Sequence, residues 1–143
     1  MSSSKFTVSL DTNSPGLTVS VIINDHVLYR GDPSGSTVVV DHNINDTDLS
    51  EHRLTIQLAD KTEAHCEIND HGDIVKDTVV ALHSIKFDDV DITDIMRRIS
   101  RYQHDFNGTG QPIEEPLMGT MGCNGIVTFD FTSPVYLWIL ENM

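Results

Sequence analysis

Alternating apolar and polar residues predict that most of this chain forms β-strands. Residues 6–10, 17–21 and 53–58 alternate with the two-residue period of a half-buried strand. Turn-forming residues separate these segments from further strand-like runs at 26–29, 37–40, 64–68, 78–87, 126–131 and 135–140. The last of these runs is apolar at every position, which predicts a strand that is covered on both faces.

One segment departs from the strand period. Apolar residues at 92, 95, 96 and 99 have the spacing of one helical face, so a short helix is predicted over about 92–100. Asp91 or Thr93 is placed to cap its first turn. The polar segment 41–51 predicts a long surface loop. The segment 105–125, rich in Gly, Pro and Asn, predicts either a long ordered loop or a pair of hairpin tips.

Eight or nine strands with a single short helix predict an all-β fold, an antiparallel β-sandwich or jelly roll. The length of 143 residues and the apolar fraction of 38% fit a single domain spanning 1–143 with one core.

The charge of the chain restricts its partners. A formal net charge of −13 repels phosphate backbones, so nucleic acid is not an expected partner. No apolar stretch has the length of a membrane span, and the first six residues lack the apolar core of a signal peptide. We therefore expect no membrane insertion, no secretion by a signal peptide, and free thiols at Cys66 and Cys123.

A search for catalytic motifs predicts that the protein is not an enzyme. The chain has no G-x-S-x-G elbow and no glycine-rich phosphate loop. Cys123 lies in a Gly-rich segment, but an acidic chain offers little to lower the pKa of a nucleophilic thiol.

Two groups of aspartates have the chemistry of a calcium site, because Ca²⁺ takes six to eight oxygen ligands. Asp70, Asp73 and Asp77 surround one glycine turn. Asp88, Asp89 and Asp91 form the second group, just before the predicted helix. Aspartates at these positions are equally expected if they only form turns and cap the helix. We therefore expect either no cofactor or calcium.

Aromatic and apolar residues suggest where the protein meets a partner. Trp138, with Tyr136 and Leu140, lies in the most apolar segment, which predicts either core or a subunit interface. Tyr102 and Phe106 flank polar residues and are predicted to lie on an exposed surface.

The segments 52–58, 69–77, 80–92 and 131–143 carry a resemblance that spans roughly residues 17–143. Together they resemble small jelly-roll domains in virion proteins of tailed phages, particularly contractile-tailed phages of aquatic bacteria. The most distinctive part is the closing Pro134-x-Tyr-Leu-Trp-x-Leu-Glu141. In overall pattern such domains are also similar to calcium-dependent carbohydrate-binding modules.

The resemblance implies a non-catalytic structural protein on the capsid or tail of a phage particle, made in the host cytoplasm. Its expected partners are other virion proteins and further copies of itself. The alternative is a calcium-assisted carbohydrate-binding module that attaches to a host surface glycan.

Overall fold

The chain forms mainly β-strands, and the computed structural model describes residues 3–46 and 48–143. The predicted lack of a signal peptide concerns a segment whose first two residues lie outside this range. The described strands are β1 Ser3–Thr12, β2 Thr18–Ile23, β3 His26–Gly31, β4 Val38–Asn45, β5 Ser50–Ala59, β6 Cys66–Ile68, β7 Ile74–Asp77, β8 Val80–Phe87, β9 Val90–Asp91, β10 Arg101–His104, β11 Ile113–Glu115, β12 Thr120–Met121 and β13 Gly125–Ser133. The helices are α1 Thr93–Ile99 and α2 Val135–Asn142, and Glu63–His65 forms a 3-10 turn.

The strands form two antiparallel sheets and a separate ribbon. One sheet has the order β12-β8-β1-β4, with β9 added to β8. The other has the order β11-β10-β13-β5-β2-β3. The ribbon consists of β6 and β7 alone. The predicted all-β antiparallel sandwich is confirmed. The described strands exceed the predicted eight or nine because six of them have only two to four residues.

The alternating residues of the long strands form the core between the two sheets, as the sequence pattern predicts. β1, β5 and β13 each bury every second side chain while the intervening residues remain at least partly accessible. The buried apolar residues of these three strands are Phe6, Val8, Leu10, Leu54, Ile56, Leu58, Val127, Phe129 and Phe131.

The segment 41–51 is largely strand and not the predicted loop. β4 continues to Asn45 by pairing with β1 along its whole length, and β5 begins at Ser50. Val40 and Ile44 are buried whereas Asp41 is exposed, so the polar residues occupy the outer face of an edge strand. Thr47, in the short remaining connection, lies outside the described residues.

The predicted short helix is present as α1. The Asp91 carboxylate accepts hydrogen bonds from the Thr93 hydroxyl, at 2.5 Å, and from the Thr93 backbone N–H, at 2.8 Å. These bonds hold the pKa of Asp91 below its ordinary value. Ile95 and Met96 point into the core, which explains the apolar spacing.

The predicted last strand is wrong, because residues 135–142 form helix α2. A run that is apolar at every position has no period that separates a strand from a buried helix. In the helix, Val135 and Trp138 are three positions apart and share the buried face. Tyr136, Leu137 and Leu140 are consequently turned outward.

Trp138 fixes α2 against the sandwich. Its ring centroid lies 5.5 Å from that of Phe129, 6.0 Å from Phe131 and 6.4 Å from Phe87, all in edge-to-face arrangements. Only 6% of Trp138 is exposed, so of the two predicted alternatives it is a core residue in this chain.

In the described part of the chain, no helix is long and apolar enough to cross a membrane.

Truncating Trp138 should destabilise the protein far more than truncating its neighbour Tyr136. We expect Trp138→Ala to lower the free energy of unfolding by about 3–5 kcal/mol, because it removes a large buried ring. Tyr136→Ala, on the exposed side of the same helix, should cost no more than about 0.5 kcal/mol. Urea denaturation followed by circular dichroism measures both, and equal losses would contradict the assigned packing of α2.

Candidate functional site

The loop of residues 105–110, after β10, is folded tightly on itself. The Asp105 carbonyl accepts hydrogen bonds from the N–H groups of Gly108, at 3.2 Å, and Gly110, at 3.0 Å. The Asp105 carboxylate accepts a second bond from Gly108, at 2.8 Å. The Thr109 hydroxyl donates to the Phe106 carbonyl at 2.6 Å. The loop therefore holds one conformation by its own hydrogen bonds.

Phe106 is presented to solvent by an uncommon backbone conformation. Its φ is 57°, in the left-handed region that bulky residues seldom adopt, and 43% of the residue is exposed. Its ring and that of His104 are in an edge-to-face arrangement at a centroid distance of 4.8 Å. A Cβ on Gly110 would lie 2.7 Å from the Phe106 ring, so the ring rests directly against the glycine backbone. The exposure predicted for Phe106 is confirmed.

His104 is hydrogen-bonded to this loop and to β11. Its Nδ1 accepts a hydrogen bond from the Phe106 N–H at 3.3 Å, so in the neutral ring Nε2 carries the proton. Nε2 then donates to the Glu115 carboxylate at 3.0 Å. The His104 side chain is only 4% exposed, while that of Glu115 is 50% exposed. Both ring nitrogens are therefore satisfied in positioning the loop.

Tyr102 joins the same region to the segment 122–125. Its hydroxyl donates to the Cys123 carbonyl at 2.5 Å and accepts from the Cys123 N–H at 2.9 Å. Burial raises the pKa of Tyr102 to about 12. The exposure predicted for Tyr102 is wrong, because 4% of the residue is accessible. Exposed and buried residues alternate in β10, and this alternation places Tyr102 on the inner face. In a strand of four residues the alternation is too short to be a strong sequence signal.

Two clefts adjoin the 105–110 loop. The first, called the edge cleft, has a volume of about 550 Å³ and lies along β10, β11 and the start of β13. Its lining includes Gln103, Asp105, Ile113, Glu114, Asn124 and Ile126. The second, called the ribbon cleft, has a volume of about 870 Å³ and lies between the loop and the β6–β7 ribbon. Its lining includes Lys61, Cys66, Ile68, Ile74, Phe106 and Asn107.

An ion pair between a buried lysine and a partly exposed aspartate holds the ribbon against the 122–125 segment. Lys61 Nζ donates to Asp77 Oδ1 at 2.6 Å and to the Gly122 carbonyl at 2.5 Å, with its side chain 3% exposed. The Asn124 amide bonds both the backbone N–H and the carbonyl of Lys61, each at 2.9 Å. Asp77, a predicted calcium ligand, is thus engaged by a cation, which offsets its charge.

The other predicted calcium ligands do not converge. Asp70 and Asp73 are exposed at the tip of the ribbon. Asp88 and Asp89 form the β8–β9 turn, where Asp88 accepts the Lys5 N–H at 2.8 Å, and Asp91 binds Thr93. No group of three or more His, Cys, Asp or Glu side chains within residues 3–46 and 48–143 is arranged to hold a metal ion. A calcium site at these residues stays a prediction.

A serine, a histidine and an amide are arranged in line at the opposite end of β13. His52 Nε2 lies 3.1 Å from Ser133 Oγ, and Asn24 Nδ2 lies 3.2 Å from His52 Nδ1. Ser133 donates its own proton to the Asp48 carbonyl at 2.7 Å, and 1% of the residue is exposed. His52 Nε2 is therefore the donor to Ser133 and not its base. The arrangement joins strands and does not activate a nucleophile.

Helix α2 exposes an apolar strip, called here the α2 surface, formed by Tyr136, Leu137, Leu140 and Met143. Their exposed fractions are 67%, 51%, 51% and 85%. Tyr136 and Leu140, predicted as interface residues, therefore face solvent, while Trp138 does not. Leu137 was not predicted as an interface residue, because in a strand it would lie on the opposite face from Tyr136.

Comparisons with known proteins return little. No protein-family model matches the sequence, and no curated protein matches it significantly. A solved structure, the selenomethionine form of vCBM60, comes from work on two families of calcium-dependent carbohydrate-binding modules linked by circular permutation. It is 12% identical, the match covers 88% of this chain and 89% of that chain, and the TM-score is 0.47. At that TM-score the likeness supports no conclusion about a ligand or an activity.

Replacing His52 should reduce the dependence of stability on pH. Burial is the main cause that lowers the folded-state pKa of His52, against a smaller opposite effect of Asp46. Between the folded and the unfolded pKa, which is about 6.5, the unfolded chain binds more protons, so stability increases with pH. As pH falls below about 6.5, the wild type should lose stability faster than His52→Gln in urea titrations. Parallel pH profiles of the two proteins would contradict this role.

Proposed function

We propose that this chain is a non-catalytic binding domain whose ligand is a neutral glycan held against the 105–110 loop, in the edge cleft that Asp105 lines and across the neighbouring Phe106 ring. The observation that carries the proposal is Phe106, an aromatic ring fixed in a left-handed loop conformation with 43% of the residue exposed. Strained conformations that persist are concentrated at binding sites, and an exposed ring face packs well on the C–H face of a sugar.

The polar lining of the edge cleft suits hydroxyl groups. The Gln103 amide and the Asp105 and Glu114 carboxylates carry oxygens that accept hydrogen bonds from hydroxyl groups, while the Asn124 amide is already bonded to the Lys61 backbone. Ile113 and Ile126 add apolar surface beside these groups. A few placed polar groups on an apolar surface are typical of small-molecule sites.

Two observations support the absence of catalysis. Burial raises the pKa of the Cys123 thiol, although Lys61 acts in the opposite direction, so the reactive thiolate is disfavoured. Ser133 is buried and donates its proton to a backbone carbonyl. The side chains with nucleophilic chemistry at these two positions are therefore unsuited to attack a substrate.

Removing the Phe106 ring should abolish most of the glycan affinity. After a glycan array identifies a neutral ligand, calorimetry should show Phe106→Ala weaker by about tenfold, which corresponds to about 1.4 kcal/mol. Tyr136→Ala is the matched control, since it removes an exposed ring remote in sequence from the clefts and should keep wild-type affinity. Absence of binding to every neutral glycan, or unchanged affinity in Phe106→Ala, would refute the proposal.

The same titrations decide whether calcium takes part. Calcium-assisted binding predicts a loss of affinity in EDTA and in Asp73→Ala. Asp73 is the suitable residue to replace, because the carboxylates of Asp77 and Asp91 already accept hydrogen bonds from Lys61 and Thr93, and replacing them would disturb the fold. Equal affinity with calcium and with EDTA would remove calcium from the proposal.

A second candidate function is assembly, and the α2 surface is the observation that favours it. Four neighbouring apolar residues at least half exposed are characteristic of a protein contact. We propose that this surface joins copies of the chain, and that the assembly has a place on a phage particle, as the sequence resemblance implies. Copurification with virion proteins tests that location.

Light scattering after size exclusion should give a discrete oligomer for the wild type. Leu137→Glu combined with Leu140→Glu should give a monomer, because both changes bury charge in the contact. Val39→Glu, at a similarly exposed residue on β4, should retain the oligomer. A wild-type monomer at every concentration would exclude self-association through α2.

A further inference from the structure

The edge cleft and the ribbon cleft lie on opposite sides of the same two chain segments. Asp105 lines the first cleft, whereas Phe106 and Asn107, the next residues of the same loop, line the second. Across the segment 122–125 the division falls between Cys123 and Asn124. The Asn124 N–H donates to Asn107 Oδ1 at 2.7 Å, which joins the two walls. The clefts are therefore neighbours on either side of one rigid ridge.

The ribbon cleft has an apolar wall that the fold does not otherwise use. Ile68 and Ile74 are directly opposite each other in the β6–β7 pairing, and 59% and 63% of them are exposed. A two-stranded ribbon outside both sheets is marginally stable by itself. This ribbon is nevertheless fixed at its base, because Asn13 bonds the Asp77 carbonyl at 2.8 Å and the Val79 N–H at 2.9 Å.

The charges around the two clefts select against anionic ligands. Lys61 is the cation of the ribbon cleft, and Asp77 already pairs with it at 2.6 Å. The remaining charged side chains that line the clefts are Glu63, Asp105 and Glu114, all acidic. With a net charge of −13 on the whole chain, uronate and sulfated sugars are repelled.

We infer that the two clefts bind one continuous neutral oligosaccharide, which crosses the ridge at Phe106, so that the protein recognises an internal stretch of a polysaccharide. This inference rests on the proposed function and specifies its ligand. Each cleft alone falls within the roughly 300–1,000 Å³ of ordinary ligand pockets. A ligand that fills both is therefore longer than a terminal sugar, and Phe106 contacts it near its middle.

Affinity should increase with chain length and depend on the ribbon only for long chains. Calorimetry would use cello-, xylo- and manno-oligosaccharides from disaccharide to hexasaccharide, with polygalacturonate as the anionic probe. Ile74→Ala should weaken the longest ligand about tenfold and leave the disaccharide unchanged. Val75→Ala is the matched control, because Val75 is the exposed ribbon residue next to Ile74 and does not line the cleft.

The outcomes separate this inference from the proposed function. Ile126→Ala, in the edge cleft, should weaken short and long ligands alike. Equal affinities for the disaccharide and the hexasaccharide, or equal effects of Ile74→Ala on both, would overturn the inference while leaving glycan binding intact. Absence of binding by the wild type at any length would refute both. Tight binding of polygalacturonate would overturn the selection by charge.

Discussion

The position of β13 between β5 and β10 is the constraint on which the rest of the structure depends. β13 pairs with β5 over its full length, from Gly125 to Ser133, and with β10 at its beginning. Its inward residues Phe129 and Phe131 receive Trp138, and its first residues form part of the edge cleft. One strand thus connects the packing of α2 to the geometry of the clefts.

The close approach of β10 to β13 requires glycine at the first position of the strand. A Cβ at Gly125 would lie 2.3 Å from the Gln103 carbonyl oxygen, a distance that no side chain tolerates. Because the obstacle is backbone, relief would require the strands to separate. The sequence alone shows a glycine beside an apolar run, and the reason for it appears only when the partner strand is known.

Buried polar groups hold the segments around the two clefts in place. Three polar residues near the clefts are at most 9% exposed: Tyr102, His104 and Lys61. The side chain of each makes a hydrogen bond within the protein. Such groups are costly to bury without partners, so they favour one arrangement of the surrounding loops. The clefts are consequently formed before any ligand arrives, which reduces the entropy lost on binding.

The sequence predicts the sandwich more accurately than the site, for physical reasons. Alternation over 6–10 and 53–58 reports a sheet face directly, so these strands and their core residues are confirmed. The run at 135–140 lacks any alternation, and only its packing against the aromatic core makes it a helix. The exposed ring of Phe106 was expected, but the clefts beside it depend on contacts between segments distant in sequence.

The aspartates illustrate the same limit. Their spacing in sequence is compatible with calcium, yet chain reversal at each turn directs them to different tasks, such as the hydrogen bonds of Asp91 to Thr93 and the ion pair at Asp77. Oxygen-rich turns are common because Asp stabilises turns, so composition does not distinguish a ligand from a turn residue.

The burial of the single tryptophan also determines what intrinsic fluorescence reports. Trp138 is the only Trp in the chain and lies among three Phe rings, so its emission is blue-shifted for as long as α2 stays docked. The clefts begin near Gly125, six residues from Phe131 along β13, which is about 20 Å at the rise of a strand. Emission is therefore a reporter of helix undocking that occupancy of the clefts leaves unchanged.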